Sequence, residues 1–280
     1  CGCIHVPRRP GEAASLLADA AKFAADGIVV ERLTPSQLAA CEPHLAASTA
    51  APFSAALRLP DEAQIRNPRH LQALVAACRL HKVELIEHAP VQDLVIERDR
   101  VTAAQAPQRR FSADKFCLAA GAWSEPLCGQ LGVSLGIYPV RGQMVLYRSD
   151  APLLTHVVNE GPRYLVPRSD GRLLAGSTEE DVGFDKRNTD EQIAELRQFA
   201  ESLLPPLAKA EVEATWAGLR PHGVDGFPHI GRVPHLPNCY IAAGHYRSGL
   251  YTSPGTAVLL RQLMVGESPS IDMTHFRLSR

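Results

Sequence analysis

Apolar positions along the chain change period several times, and each change marks a new element. Leu16, Leu17, Ala20, Phe23 and Ala24 recur at three- and four-residue spacings, which predicts a helix over Glu12–Ala25 with those side chains inward and Gly27 as its stop. Ile28–Leu33 reads as a strand, Thr34-Pro35 opens a second short helix, and Phe53–Leu59 reads as a strand leading into the loop PDEAQIRNP. Asn67 and Pro68 start a helix whose Leu71, Leu74, Val75 and Cys78 fall at i, i+3, i+4 and i+7. Strands are predicted at Val83–Ile86, Val91–Glu97 and Val101–Gln105. Phe116–Ala119 reads as a buried strand that ends at Ala120-Gly121, followed by a helix from Trp123 or Ser124.

From Ile137 onward period two dominates, with strands predicted at Ile137–Tyr147, His156–Val158, Tyr164–Val166, Leu173–Gly176 and Glu211–Leu219. One helix interrupts them, capped by Thr189 with Gln192 three residues on, and running along Ile193, Leu196, Ala200 and Leu203 to Pro205-Pro206. Two patterns therefore interleave in a mixed α/β chain: βα units over 67–135 and 218–280, and a strand-rich part over 1–66 and 136–217. Neither internal repeats nor low-complexity tracts occur.

The chemistry concentrates between Trp216 and Pro254. Val212, Ala214, Trp216, Gly218 and Arg220 share one face of a strand, so an arginine closes an apolar row. A guanidinium stays charged, and in such a place it needs an anion, best a carboxylate held by two parallel hydrogen bonds. On residue chemistry alone, Asp225 or a glutamate serves that need as well as a substrate carboxylate does. Tyr240–Gly244 reads as a short buried strand; Ser253 then suits an N-cap and Pro254 the first position of a helix along Val258, Leu259, Gln262 and Leu263 to Gly266. A glycine turn between strand and helix points backbone N–H groups and a positive dipole end at an anion or an electron-rich ring. Arg247 adds a second positive charge to that turn.

Composition narrows the classes. The 280 residues are enough for one large or two moderate domains. A net charge of −1 and 45% hydrophobic residues argue against a nucleic-acid-binding surface and against disorder. No apolar run reaches the ~20 residues that cross a bilayer, and no signal peptide is read at residue 1. Seven cysteines without a Cys-x-x-Cys pair read as reduced thiols, and the expected compartment is the cytoplasm. Cys1 and Cys3 lack partners in sequence, and no metal is expected. H-E-x-x-H, G-x-S-x-G and P-loop motifs are absent, and nothing before Gly121 has G-x-G-x-x-G spacing.

Six stretches, in order, carry a resemblance: CLAAGAWS (117–124), PVRGQ (139–143), YLVPRSDGRLLAGSTEEDVGFD (164–185), WAGLRP (216–221), DGFPHIG (225–231) and AAGHYRSGLYTSP (242–254). Through them the chain resembles the D-amino-acid oxidase superfamily of flavoproteins, most closely the glycine oxidases of thiamine biosynthesis. The resemblance implies an FAD cofactor and a Rossmann-like FAD domain interleaved with an antiparallel-sheet substrate domain. Members of that family begin with a G-x-G-x-x-G βαβ unit. The chain is therefore expected to be N-terminally truncated and, made alone, to hold FAD weakly, because the pyrophosphate normally sits on the first helix N-terminus.

The same resemblance implies roles. Arg220 would grip the substrate α-carboxylate, the Tyr164 hydroxyl would reach substrate, and Arg247 would be a second substrate-side arginine. Glu179 stands where some relatives place an apolar pocket residue, so it faces either a substrate ammonium or outward. His245, Tyr246, Arg247, Ser248, Gly249, Leu250 and Tyr251 would pass the isoalloxazine ring, Val91 would meet the adenine end through its backbone, and Ala120-Gly121 would form the second small-residue turn beside FAD. The implied reaction is hydride transfer from the substrate Cα to flavin N5, imine hydrolysis, and reoxidation by oxygen with peroxide release. No acid or base side chain is nominated. A D-amino-acid or sarcosine-type dehydrogenase and a non-catalytic remnant stand as alternatives, and homo-oligomer formation is left open.

Overall fold

The computed structural model describes residues 1–7, 11–46 and 55–279. In chain order the elements are β1 (Cys3–His5), α1 (Glu12–Ala25), β2 (Glu31–Leu33), α2 (Pro35–Cys41), α3 (Pro43–Ala46), β3 (Ala56–Leu59), α4 (Asn67–Leu80), β4 (Asp93–Glu97), β5 (Arg100–Ala106), β6 (Arg109–Ser112) and β7 (Phe116–Leu118). There follow α5 (Ser124–Gln130), β8 (Ile137–Arg148), β9 (Val157–Glu160), β10 (Arg163–Pro167), β11 (Arg172–Gly176), α6 (Asp190–Leu203), β12 (Glu211–Gly223), β13 (His229–Arg232), β14 (Cys239–Ala243) and α7 (Gly249–Val265). The chain divides into two compact units, one of Cys1–Ala77, Gly142–Glu179 and Lys186–Gly218, the other of Cys78–Arg141, Glu180–Asp185 and Leu219–Arg280.

The first unit is built on an eight-stranded sheet ordered β12-β8-β11-β10-β9-β1-β3-β2, in which β1 runs parallel to β9. Period two sorts its residues. Ile4, Val145, Tyr147, Val158, Leu165, Leu173 and Ala175 point to one face and are buried with Leu196, Phe199, Ala200 and Leu203 of α6. On the other face Met144, Leu146, Tyr164, Val166 and Leu174 are only half-buried. They lie across from one another through the registers Tyr164↔Gly176↔Met144 and Val166↔Leu174↔Leu146. The start of α6 is fixed from outside the helix. Buried Gln143 accepts from the Thr189 amide at 2.9 Å and donates to Thr189 Oγ1 at 3.1 Å. The Thr189–Gln192 capping expected from sequence does not form, because the Thr189 hydroxyl is taken by Gln143. A full capping box does form at Thr34 and Gln37.

The second unit carries two three-stranded sheets, β13-β14-β7 and β4-β5-β6. Its core gathers Val101, Cys128, Leu131, Leu135, Ile137, Val233 and Ile241. Buried Asn238 ties the two sheets by pairing with both the N–H and the C=O of Val101. Arg141, 3% exposed, is paired within the unit to Glu180 at 2.5 Å and Asp185 at 3.4 Å, which satisfies a charge that would otherwise be costly to bury.

Several expectations are corrected. Val83–Ile86 is not a strand: left-handed residues Lys82 and His88 bracket it, and a short apolar run without a partner strand does not hold an extended form. The strand expected at Ile28–Leu33 shrinks to β2, and that expected at Phe53 begins outside the described residues. β6 and β13, short and rich in charged or small residues, have no counterpart in the sequence reading. Leu17 and Ala24 of α1 face solvent, so only Leu16, Ala20 and Phe23 pack on Leu57 and Leu59. β7 is a half-exposed sheet edge rather than a buried strand. The row on β12 is likewise open, since Ala214 and Trp216 are exposed on an edge strand. All seven cysteines are free thiols, and no helix among the described residues is long and apolar enough to cross a membrane.

Candidate functional site

β7 and β14 are parallel neighbours, with Phe116↔Cys239 and Leu118↔Ile241 in register, so their carboxyl ends lie side by side. Each ends in a small-residue turn. After β7 come Ala119, Ala120 and Gly121, the last at φ +56°; after β14 comes Gly244 at φ +82°. Both conformations are left-handed, where a Cβ is disfavoured and glycine is not. In parallel sheets the crevice outside the carboxyl strand ends is where ligands bind.

The β14 turn leads into α7, which begins at Gly249 and not at the expected Pro254. Proline inside the helix removes the N–H that would bond to the Leu250 carbonyl, and the Ser253 hydroxyl donates to that carbonyl at 2.8 Å instead. The helix N-terminus therefore reaches back to the turn itself. Ser248 Oγ donates to His245 O at 2.6 Å, and His245 Nε2 meets Thr256 Oγ1 at 2.9 Å. Burial holds the His245 imidazole below its ordinary pKa, so it is neutral at neutral pH. Tyr246 occupies a left-handed conformation at φ +49°, a strained state for a residue with a side chain and one that clusters at functional sites.

The end of β12 docks on this turn. The Tyr246 amide donates to Pro221 O at 2.8 Å, and His222 forms an antiparallel bridge with His245. The His222 ring stands between Tyr138 at 4.9 Å and Tyr246 at 4.3 Å. Its buried Nδ1 has no hydrogen-bond partner among the described residues. His222 was not singled out in the sequence, yet strand alternation puts it on the face of Arg220. Arg220 itself is half-buried on β12 in this unit, two residues before His222.

The structure thus brings Arg220 to the strand end that bonds His245 and Tyr246. It also brings Val91 and Ala120 together in one cleft of ≈ 660 Å³ with Leu94, Phe116, Leu118 and Trp123, and no charged side chain lines it. Gly121 follows Ala120 directly in the chain. Arg247, Leu250 and Tyr251 are exposed. Tyr164 belongs to the first unit, where its hydroxyl contacts Met144 Sδ at 3.6 Å. It lines a second cavity of ≈ 500 Å³ with Leu146, Leu174, Arg168, Arg172 and Trp216. Glu179 is exposed in the first unit.

Comparison with known proteins gives the family. The FAD dependent oxidoreductase (DAO) profile matches residues 1–263. The chain belongs to the FAD-dependent oxidoreductase family. It is 42% identical over 221 residues to a glycine oxidase of Pseudomonas aeruginosa, a match that covers 79% of this chain and 61% of the relative. It is 33% identical over 255 residues to a glycine oxidase of Geobacillus kaustophilus, covering 91% of this chain and 67% of that one. The crystal structure of glycine oxidase from Geobacillus kaustophilus superposes with a TM-score of 0.91 over 100% of this chain and 74% of that one. The chain spans about 60% of the length of the Pseudomonas glycine oxidases that it matches.

The residues present fit the heterocyclic parts of the family's FAD. The uncharged cleft beside β7 suits a planar apolar ring, the two glycine turns leave backbone open at adjacent strand ends, and the buried Nδ1 of His222 offers a ring nitrogen still needing a partner.

Proposed function

We propose that this protein oxidises glycine or another small amino acid or amine with FAD, in a role within thiamine biosynthesis. The observation that supports this most is the pair of glycine turns at the adjoining ends of β7 and β14, with the Arg220 strand bonded to the second of them. Arg220 holds the substrate α-carboxylate through two charge-assisted hydrogen bonds and so fixes the Cα. Tyr164 is the candidate for a substrate-facing hydroxyl, and Arg247 for a second positive charge. The segment His245–Tyr251 borders the flavin ring, while Val91, Ala120 and Gly121 border the rest of the cofactor.

FAD held there would supply the acceptor for a hydride from the substrate Cα. Neutral His245 leaves the positive end of α7 and its free N–H groups as the local stabiliser of negative charge at the ring. None of the assigned side chains has to move a proton. Water hydrolyses the released imine, and oxygen takes the electrons as hydrogen peroxide.

Peroxide release by the FAD-loaded protein tests the reading across a panel of amines. Glycine, sarcosine or D-alanine is expected to outrun D-phenylalanine. Faster turnover of D-phenylalanine would replace the reading by a broad D-amino-acid oxidase, and dye reduction without peroxide would replace it by a dehydrogenase.

A further inference from the structure

Cys3 was expected to have no metal-binding partner, and the fold supplies two. Strand alternation on β1 puts Cys3 and His5 on one face. The antiparallel pairing Cys3↔Leu59 then places the turn after β3 beside them. Glu62 closes that turn, its amide donating to Leu59 O at 3.3 Å and its carbonyl accepting from the Gly2 amide at 2.8 Å. One donor atom from each of Cys3, His5 and Glu62 lies within 4.8 Å of the other two.

Asn159, directly across from His5 on β9, shows where the lone pairs point. Its amide nitrogen lies 3.2 Å from Cys3 Sγ and 3.5 Å from His5 Nε2. An amide nitrogen only donates, so both the sulfur and Nε2 face it as acceptors; a metal would take the single Nε2 lone pair in place of the 3.5 Å amide contact, leaving Asn159 on the sulfur. Burial, with Glu62 and Asp19 acting weakly against it, holds His5 below its ordinary pKa and so in the neutral form that ligates. The Cys3 thiol is pushed up by its burial and by Glu62, to which it is hydrogen-bonded, so without a metal it is a protonated thiol.

We infer that Cys3, His5 and Glu62 form a mononuclear Zn²⁺ site, with Asn159 as an outer hydrogen-bond donor to the thiolate and water in the fourth position. Sulfur, imidazole nitrogen and carboxylate oxygen are the donors that Zn²⁺ takes, at about 2.3, 2.0 and 2.1 Å. A tetrahedron of those lengths brings the three atoms roughly an ångström closer than 4.8 Å, and exposed Glu62 can close that gap by rotating its side chain. On binding, the thiol proton passes to solvent and the metal clamps β1 to the turn after β3.

Co²⁺ is the probe, added to the purified chain. One equivalent should give a thiolate-to-cobalt band in the near ultraviolet together with the visible bands of tetrahedral cobalt, and Zn²⁺ should bleach both. Cys3→Ser should abolish the charge-transfer band. Glu62→Gln, at an exposed position that leaves the fold intact, should lower Co²⁺ affinity at least tenfold, and Asn159→Ala by roughly ten- to a hundred-fold. A six-coordinate spectrum without the thiolate band, a band that survives Cys3→Ser, or unchanged affinity in Glu62→Gln overturns the site.

Discussion

Glu125, in the first turn of α5, is a residue whose removal can be followed from geometry to measurement. Its carboxylate accepts from Ser134 Oγ at 2.8 Å, from the Leu135 amide at 3.1 Å and from the Ile137 amide at 2.9 Å, and so holds the loop that starts β8. Ile137 in turn packs against Gly244, where an added Cβ would stand 3.6 Å from it, so the loop supports the cofactor-side turn. Glu125→Ala leaves two backbone donors and one hydroxyl unmet, each costing about 1–3 kcal/mol when buried. Glu125 is half-buried and water can serve part of that need, so the expected loss is about 2–4 kcal/mol. Burial opposes ionisation here, but the Ile137, Ser134, Leu135 and Gly136 donors outweigh it and hold the carboxyl below its ordinary 4.5. A depressed folded pKa gives stability that is complete above 4.5 and is lost as pH falls through the folded value. Urea unfolding followed by circular dichroism should therefore show a wild-type-to-Glu125→Ala gap that is widest at neutral pH and narrows in acid. A gap under about 0.5 kcal/mol at neutral pH, or one that widens in acid, refutes the reasoning.

Two glycines separate backbone strain from collision. Gly244→Ala has room for its methyl and should cost only the left-handed penalty of about 1–2 kcal/mol, whereas Gly171→Ala would also drive a Cβ into the backbone oxygen of Ser149 and should cost clearly more by urea midpoint. Equal midpoints would mean that packing at these turns is misjudged. On α4, Leu71 and Leu74 are 60% and 48% exposed, so a Leu71→Glu, Leu74→Glu double variant should scatter less light on concentration while its unfolding midpoint holds. Loss of cooperative unfolding would instead place those leucines in a core.

Much of the fold is legible because its patterns are long. α1 and α6 repeat apolar residues over fourteen positions each, and β8 runs for twelve, with clear alternation from Met144 to Tyr147. Short elements fail for want of a pattern, as β6 and β13 do. The beginning of α7 was misplaced for a physical reason: Ser253-Pro254 reads as a helix start, but the Ser253 hydroxyl replaces the hydrogen bond that proline removes, and the helix runs through. At the site, Arg220 stands out in sequence as a charge closing an apolar row, and the two glycine turns follow their strands directly. The pairing of β7 with β14 is what aligns those turns, and no local pattern carries a contact between strands more than a hundred residues apart. The same holds for Arg141 with Glu180, and for Glu62 beside Cys3 and His5. His222 was within reach, since it shares the Arg220 face by alternation.

Anaerobic reduction of the FAD-loaded protein by glycine tests the central reading most directly, through loss of flavin absorbance in a stopped-flow mixer, with Arg220→Lys run beside the wild type. Lysine keeps the charge but loses one of two parallel bonds, a deficit of about 1.5–3 kcal/mol, so the second-order rate of reduction should fall roughly ten- to a hundred-fold while FAD affinity equals that of the wild type. Equal rates in wild type and variant for every small amino acid tried would take Arg220 out of the substrate site and contradict the account.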